Sequence, residues 1–270
     1  MCVRLMLVLL LGLLSACATP TEQLIQQGDY QRLVLPGKGF NHVVYLKDGK
    51  KQSDTLHIYI EGDGSPFVSQ GRMVAADPTS PRPLMLELML KDDTRSAYVG
   101  RPCYDGMALE NGCDPRFWTH ARYSDEVVMS MVAVVEKLTR QLNAKEIVLL
   151  GHSGGGALAV LMAPHIADTK GVVTLAGNLD IESWAKEHAY SPLEGSINPA
   201  TQDVLPQSIV QHHYLGGDDR TIKQQDVRAF VQRQVAASFY QIDGVDHNCC
   251  WNKYWFNILN TLNDQLNESR

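Results

Sequence analysis

Gly151-His152-Ser153-Gly154-Gly155 is a G-x-S-x-G pentapeptide set between two apolar runs. Ile147-Val148-Leu149-Leu150 precedes it and reads as a buried strand. Gly156 to Ala163 follows and reads as a helix apolar nearly all round, suited to a core position. A chain that passes from buried strand to buried helix within five residues needs glycine to turn. Such a turn lifts the serine hydroxyl clear of a sheet. It also points the amide of the following residue, Gly154, into the same space.

The rest of the chain supplies the sheet. Arg32 to Leu35 and His42 to Leu46 read as the first two strands, and Leu56 to Ile60 as the third. A helix is expected from Leu84 to Met89, then a short strand at 97–100. Ser124 is an N-cap candidate with Asp125 and Glu126 in the first turn. The helix after it carries Val127, Met131, Val134, Val135, Leu138 and Leu142 on one stripe. Beyond the pentapeptide come strands at 172–175, 209–215 and 238–242, with a helix near 221–234. A final helix buries Trp251, Trp255, Ile258, Leu259, Leu262 and Leu266. Strands and helices alternate, which argues for a mostly parallel sheet with helices on both faces. Functional residues of such sheets follow the carboxyl ends of strands.

Three residue types obey that rule. Ser153 follows one strand, Gly216-Gly217-Asp218-Asp219 follows another, and Gly244-Val245-Asp246-His247 follows the last. A serine hydroxyl is a weak nucleophile until an imidazole takes its proton, and a carboxylate fixes the imidazole tautomer. Ser153 is the candidate nucleophile, His247 the base and Asp219 the acid, with Asp218 as the alternative. The order Ser, Asp, His and the strand-turn-helix around Ser153 resemble the α/β-hydrolase superfamily from about residue 30 to the end. Gly216-x-x-Asp219-x-x-Ile222 looks like that family's acid loop. The resemblance implies an α/β-hydrolase fold and a serine hydrolase working through an acyl-enzyme. It also implies an oxyanion hole made by Gly154 and a residue after the third strand. Asp63 is that residue, with Gly62 or Gly64 possible; Glu61 departs from the His-Gly common there. His152 reads as a packed neighbour of the elbow. His212 and His213 lie in a strand, so at least one is expected as a structural histidine.

The N-terminus carries an address. Arg4 and the apolar stretch Leu5 to Leu14 read as a signal peptide, too short to span a membrane comfortably. Leu14-Ser15-Ala16-Cys17 resembles the lipobox of bacterial lipoproteins, which implies lipidation at Cys17. Residues 1–16 are then the signal peptide, 17–29 a polar tether and 30–270 the hydrolase domain. The whole resembles a proteobacterial lipoprotein branch. Ala18, in place of aspartate, implies the outer membrane facing the periplasm.

Removing the signal leaves 254 residues and turns the net charge of −6 into −7, 23 basic against 30 acidic residues. No run of Lys or Arg suits nucleic acid. Four further cysteines remain in a compartment that permits disulfides. Cys103–Cys113 is the preferred pair, closing a loop that holds Gly106 and Gly112. Cys249–Cys250 is then vicinal or two thiols, and crossed pairing stays open. No Cys/His spacing resembles a zinc site, and no cofactor is expected.

Residues 177–206 have room for a small cap. A second insertion runs from Arg101 to Tyr123, and its Arg101, Arg116 and Arg122 are candidates to meet an anionic substrate group. The leading expectation is a carboxylesterase acting on a modest-sized ester in the cell envelope. A thioesterase or peptidase would use the same triad. A non-catalytic envelope lipoprotein that binds through this fold is the competitor from another class.

Overall fold

The computed structural model describes residues 19–50 and 53–268. The signal peptide at 1–16 and Cys17 lie outside the described residues. The main sheet has eight strands: β1 (Gln31–Pro36), β2 (Asn41–Lys47), β3 (Thr55–Ile60), β6 (Ser96–Val99), β7 (Glu146–His152), β8 (Thr169–Leu175), β9 (Val210–Gly216) and β10 (Ala237–Ile242). Their spatial order is β1-β2-β6-β3-β7-β8-β9-β10. β1 and β2 pair antiparallel, as do β2 and β6; every later pair is parallel. The expected alternation of strand and helix produces this sheet because parallel neighbours need a crossover between them.

The helices are α1 (Pro20–Gly28), α2 (Leu84–Met89), α3 (Asp125–Leu142), α4 (Gly154–Met162), α5 (Ile181–Glu187), α6 (Gln224–Arg233) and α7 (Trp251–Glu268). α3 packs on α4, while α2 packs on α7 and α1. β7 is buried at every position but its first, as a strand covered on both faces must be. α3 begins at Ser124, whose side chain accepts from the Val127 amide, and its apolar stripe is buried from Val127 to Leu138. α4 is buried along its whole length.

Residues 20–28, expected within a polar tether, form α1 instead. Thr19 and Glu22 make a capping box, Pro20 opens the helix, and Leu24 and Ile25 pack on the core. A second departure is a small antiparallel hairpin, β4 (Phe67–Val68) with β5 (Met73–Val74), standing apart from the main sheet. The cap region holds only α5 and a short 3-10 turn at Pro199–Thr201, as its length predicts. No helix among the described residues is long and apolar enough to cross a membrane.

Candidate active site

The elbow turns on steric grounds. Ser153 has φ 51° and ψ −118°, a strained conformation for a residue with a side chain. Its amide donates to Leu175 O at 2.9 Å, and its carbonyl accepts from Gly156 and Asn178. A Cβ on Gly151 would collide with Gly155 O, and one on Gly155 with Ile60 O and Glu61 O. These glycines are therefore required by close approach of strand, turn and helix, not by flexibility.

Ser153 Oγ lies 3.0 Å from His247 Nε2, and His247 Nδ1 lies 2.9 Å from Asp219 Oδ2. With Nδ1–H donating to the carboxylate, Nε2 holds a lone pair that can accept the serine proton. Asp219 Oδ1 accepts from the amides of Thr221 at 2.7 Å and Ile222 at 2.9 Å. Burial pushes its carboxyl up, but the hydrogen bond and charge of His247 and those two amides hold it below its ordinary value. Asp218 is exposed, and the carboxylate hydrogen-bonded to His247 is that of Asp219. The structure thus brings Asp219, the preferred residue of the adjacent pair, to the histidine.

The His247 loop is fixed from two sides. His247 O accepts from His152 Nε2 at 2.7 Å and from Trp251 Nε1 at 3.1 Å. His152 is the expected neighbour of the elbow, and it also holds the base's backbone. Glu61 accepts from its neighbour's amide, Gly62, at 3.1 Å and from the Met85 amide at 2.9 Å, at the start of α2. Gly62 is thereby engaged, whereas the amides of Asp63 and Gly154 meet no acceptor among the described residues.

The Asp63 carboxylate is paired. Arg101 Nη1 reaches it at 2.5 Å, Arg122 Nη1 at 2.9 Å, and Tyr123 OH at 2.6 Å. Tyr104 OH donates to Asp63 O at 3.0 Å. Burial pushes this carboxyl up, yet Arg122 and Arg101 hold it far below the usual carboxylate range. Two of the three arginines considered for an anionic substrate group are therefore spent on Asp63. The third, Arg116, pairs with Glu126 at 3.0 Å on the surface. Local spacing could not show this, since 38 and 59 residues separate Asp63 from its two arginines.

The expected disulfide, Cys103–Cys113, is present and closes the loop that carries Tyr104; Cys249 and Cys250 are joined as a vicinal pair. His212 and His213 are both buried in β9, His213 Nδ1 lying 2.9 Å from Thr174 Oγ1, so both serve the core. No group of His, Cys, Asp and Glu among the described residues could hold a metal ion.

Ser153 and His247 open onto a cleft of about 880 Å³. Phe67 and Val74 of the hairpin form one wall, and Trp184, Tyr190, Pro192 and Leu193 of the cap form another. Its size and mostly apolar lining suit a small organic molecule.

The family model "Lipase (class 3)" matches residues 93–184, about a third of the chain, a segment that includes Ser153. No curated protein matches the chain. Solved structures share the fold at low identity. A candidate lipase from Acinetobacter baumannii has a TM-score of 0.63 at 13% identity, covering 94% of this chain and 98% of that one. An esterase from Pyrococcus furiosus has 0.60 at 12%, covering 90% and 95%. An α/β serine hydrolase homologue from Coxiella burnetii has 0.57 at 13%, covering 86% and 95%. With its mostly parallel sheet, its elbow after β7 and these likenesses, the chain has the α/β-hydrolase fold.

Proposed function

We propose that this hydrolase is a serine carboxylesterase acting on a modest-sized ester, lipid-anchored at Cys17 in the cell envelope. The observation that carries the catalytic reading is the continuous relay Ser153–His247–Asp219 at 3.0 and 2.9 Å, opening on an apolar cleft. Ser153 Oγ attacks the ester carbonyl while His247 Nε2 takes its proton. The carbonyl oxygen becomes an oxyanion facing the amides of Gly154 and Asp63. As the tetrahedral intermediate collapses, the C–O bond to the alcohol breaks and His247 returns the proton to the leaving oxygen. Water then repeats the sequence on the acyl-enzyme, releasing the acid and restoring Ser153. Each amide donor is worth ~2.7–4 kcal/mol of transition-state stabilisation in such sites.

A fluorophosphonate probe tests this directly. Folded wild-type protein is expected to label, and Ser153→Ala is expected not to. A folded wild type that does not label removes the catalytic reading and leaves the binding-protein competitor. Esters of rising acyl length, matched thioesters and aminoacyl amides then define the bond. Faster turnover of the thioester or amide than of every ester overturns the esterase assignment.

A further inference from the structure

A bare Asp63 carboxylate is an unfavourable neighbour for a developing oxyanion, because two negative charges at close range repel. Its surroundings resolve the conflict. The side chains of Arg101 and Arg122 are only 1% and 6% exposed. Both guanidiniums reach the same carboxylate, one on each oxygen. One cation is enough to neutralise one carboxylate; two buried guanidiniums on the same carboxylate leave net positive charge there. Arg101 Nη2 also donates to Arg122 O at 2.9 Å, and Arg122 Nε donates to Thr119 O. The Arg101 guanidinium lies 5.0 Å from the Tyr104 ring centroid and 5.5 Å from that of Tyr123.

All four partners come from the segment between β6 and α3, and all four converge on residue 63. The cluster also abuts the second amide donor. A Cβ on Gly154 would collide with Asp63 Oδ1 and lie 2.5 Å from Tyr123 OH. On the other side, a Cβ on Gly62 would sit 3.3 Å from Ser153 Cβ. The loop after β3 is thus held between the nucleophile and the start of α4. Glu61, the other acid of this loop, is directed to the Gly62 and Met85 amides instead.

We propose that Arg101, Tyr104, Arg122 and Tyr123 are positioning residues for the oxyanion hole, clamping Asp63 so that its amide and that of Gly154 face one point above Ser153. This rests on the serine-hydrolase reading. The two arginines also turn the charge at Asp63 from −1 into a cluster of +1, which favours negative charge building up in front of it. The Cys103–Cys113 disulfide closes the loop around Tyr104 and limits how far one arm of the clamp can move. Arg122 is among the residues that line the cleft, but its guanidinium bonds are made to Asp63 and Thr119 within the protein. The clamp therefore lowers the transition state without tightening ground-state binding.

The test compares Arg122→Met, Arg122→Lys and Tyr104→Phe with wild type on one p-nitrophenyl ester. A trifluoromethyl ketone, which forms a tetrahedral oxyanion on the serine, is titrated alongside, and melting temperature checks folding. Arg122→Met is expected to lose about tenfold or more in kcat, with KM within roughly twofold. Ketone affinity is expected to fall in parallel. Arg122→Lys is expected to recover part of both, and Tyr104→Phe to lose severalfold in kcat. If Arg122→Met does not fold, the other two variants decide. Folded variants with unchanged kcat and ketone affinity, or with raised KM alone, overturn the clamp. A wild type inert to the ester, the ketone and fluorophosphonate overturns the serine-hydrolase reading and the clamp's role with it. The two failures are distinguished by the wild-type control.

Discussion

Asp105 sits two residues beyond Cys103 with φ 58°, in the loop that the first disulfide closes. The residue is partly exposed, but its Oδ2 is buried and has no hydrogen-bond partner. Burial first, then the charges of Asp77 and Glu61, push its carboxyl up to about 7. The unfolded chain ionises this group near its ordinary value of about 3.9. Between those two values the folded state binds more protons than the unfolded one, so stability falls as pH rises through the window. The penalty is absent below about pH 4 and complete above about pH 7. Asparagine tolerates positive φ and carries no charge. Asp105→Asn is therefore expected to raise the melting temperature at pH 8, on the order of 3 °C, and to leave it nearly unchanged at pH 4. Thermal melts at both pH values check this; an equal shift at both, or a fall at pH 8, removes the argument. His247 and Asp219 lie outside this loop, so the same variant keeps the relay intact.

At the scale of elements, the β4–β5 hairpin forms one wall of the cleft. Phe67 pairs with Val74 and Val68 with Met73. Side chains alternate across such a ribbon. Phe67 and Val74 accordingly line the cleft, while Met73, 59% exposed, stands outside it. Phe67 is itself 43% exposed, so its removal costs little core packing. An acyl chain lying along this wall would bury it. Phe67→Ser is expected to lower kcat/KM about tenfold for a long-chain ester and little for an acetate. An equal loss on both esters, measured on the same preparation, would place the hairpin away from the acyl chain. This element was not legible beforehand: two apolar pairs around Ser69-Gln70-Gly71-Arg72 are too short for a period to declare itself. The larger elements were legible because each repeats its signal. β7 reads as a continuous apolar run, α3 as a stripe with a serine cap, and α7 as two tryptophans at helical spacing. The relay was legible because each member follows a strand. The clamp was not, because side chains from 101–123 meet residue 63 only through tertiary packing. The polar composition of 19–28 reads as a tether, and only Thr19-Pro20-Thr21-Glu22, a capping box, signals the helix α1.

For the whole molecule, the sheet sets where the candidate site lies, and the proposed anchor at Cys17 is a separate question. Ser153, Asp219 and His247 follow β7, β9 and β10, so three distant stretches of chain meet at one sheet edge. The chain carries a formal net charge of −6, and removal of the proposed signal peptide would make it −7, so net charge favours no attraction to an anionic membrane surface. Membrane association under the proposed anchoring then depends on acyl chains, each buried methylene adding ~0.8 kcal/mol, and is insensitive to salt. Wild-type protein expressed from the full sequence is expected to sediment with membranes, to resist a high-salt wash and to incorporate labelled palmitate. Cys17→Ser is expected to lose the palmitate label. After purification in detergent, its ester turnover per labelled Ser153 is expected to match wild type. A wild type that takes up no palmitate, or that salt releases from the membrane, overturns the anchor while leaving the relay untouched. Loss of turnover in Cys17→Ser would instead tie the N-terminus to the cleft, which the packing of α1 against α2, whose first residue Leu84 lines that cleft, gives a route to do.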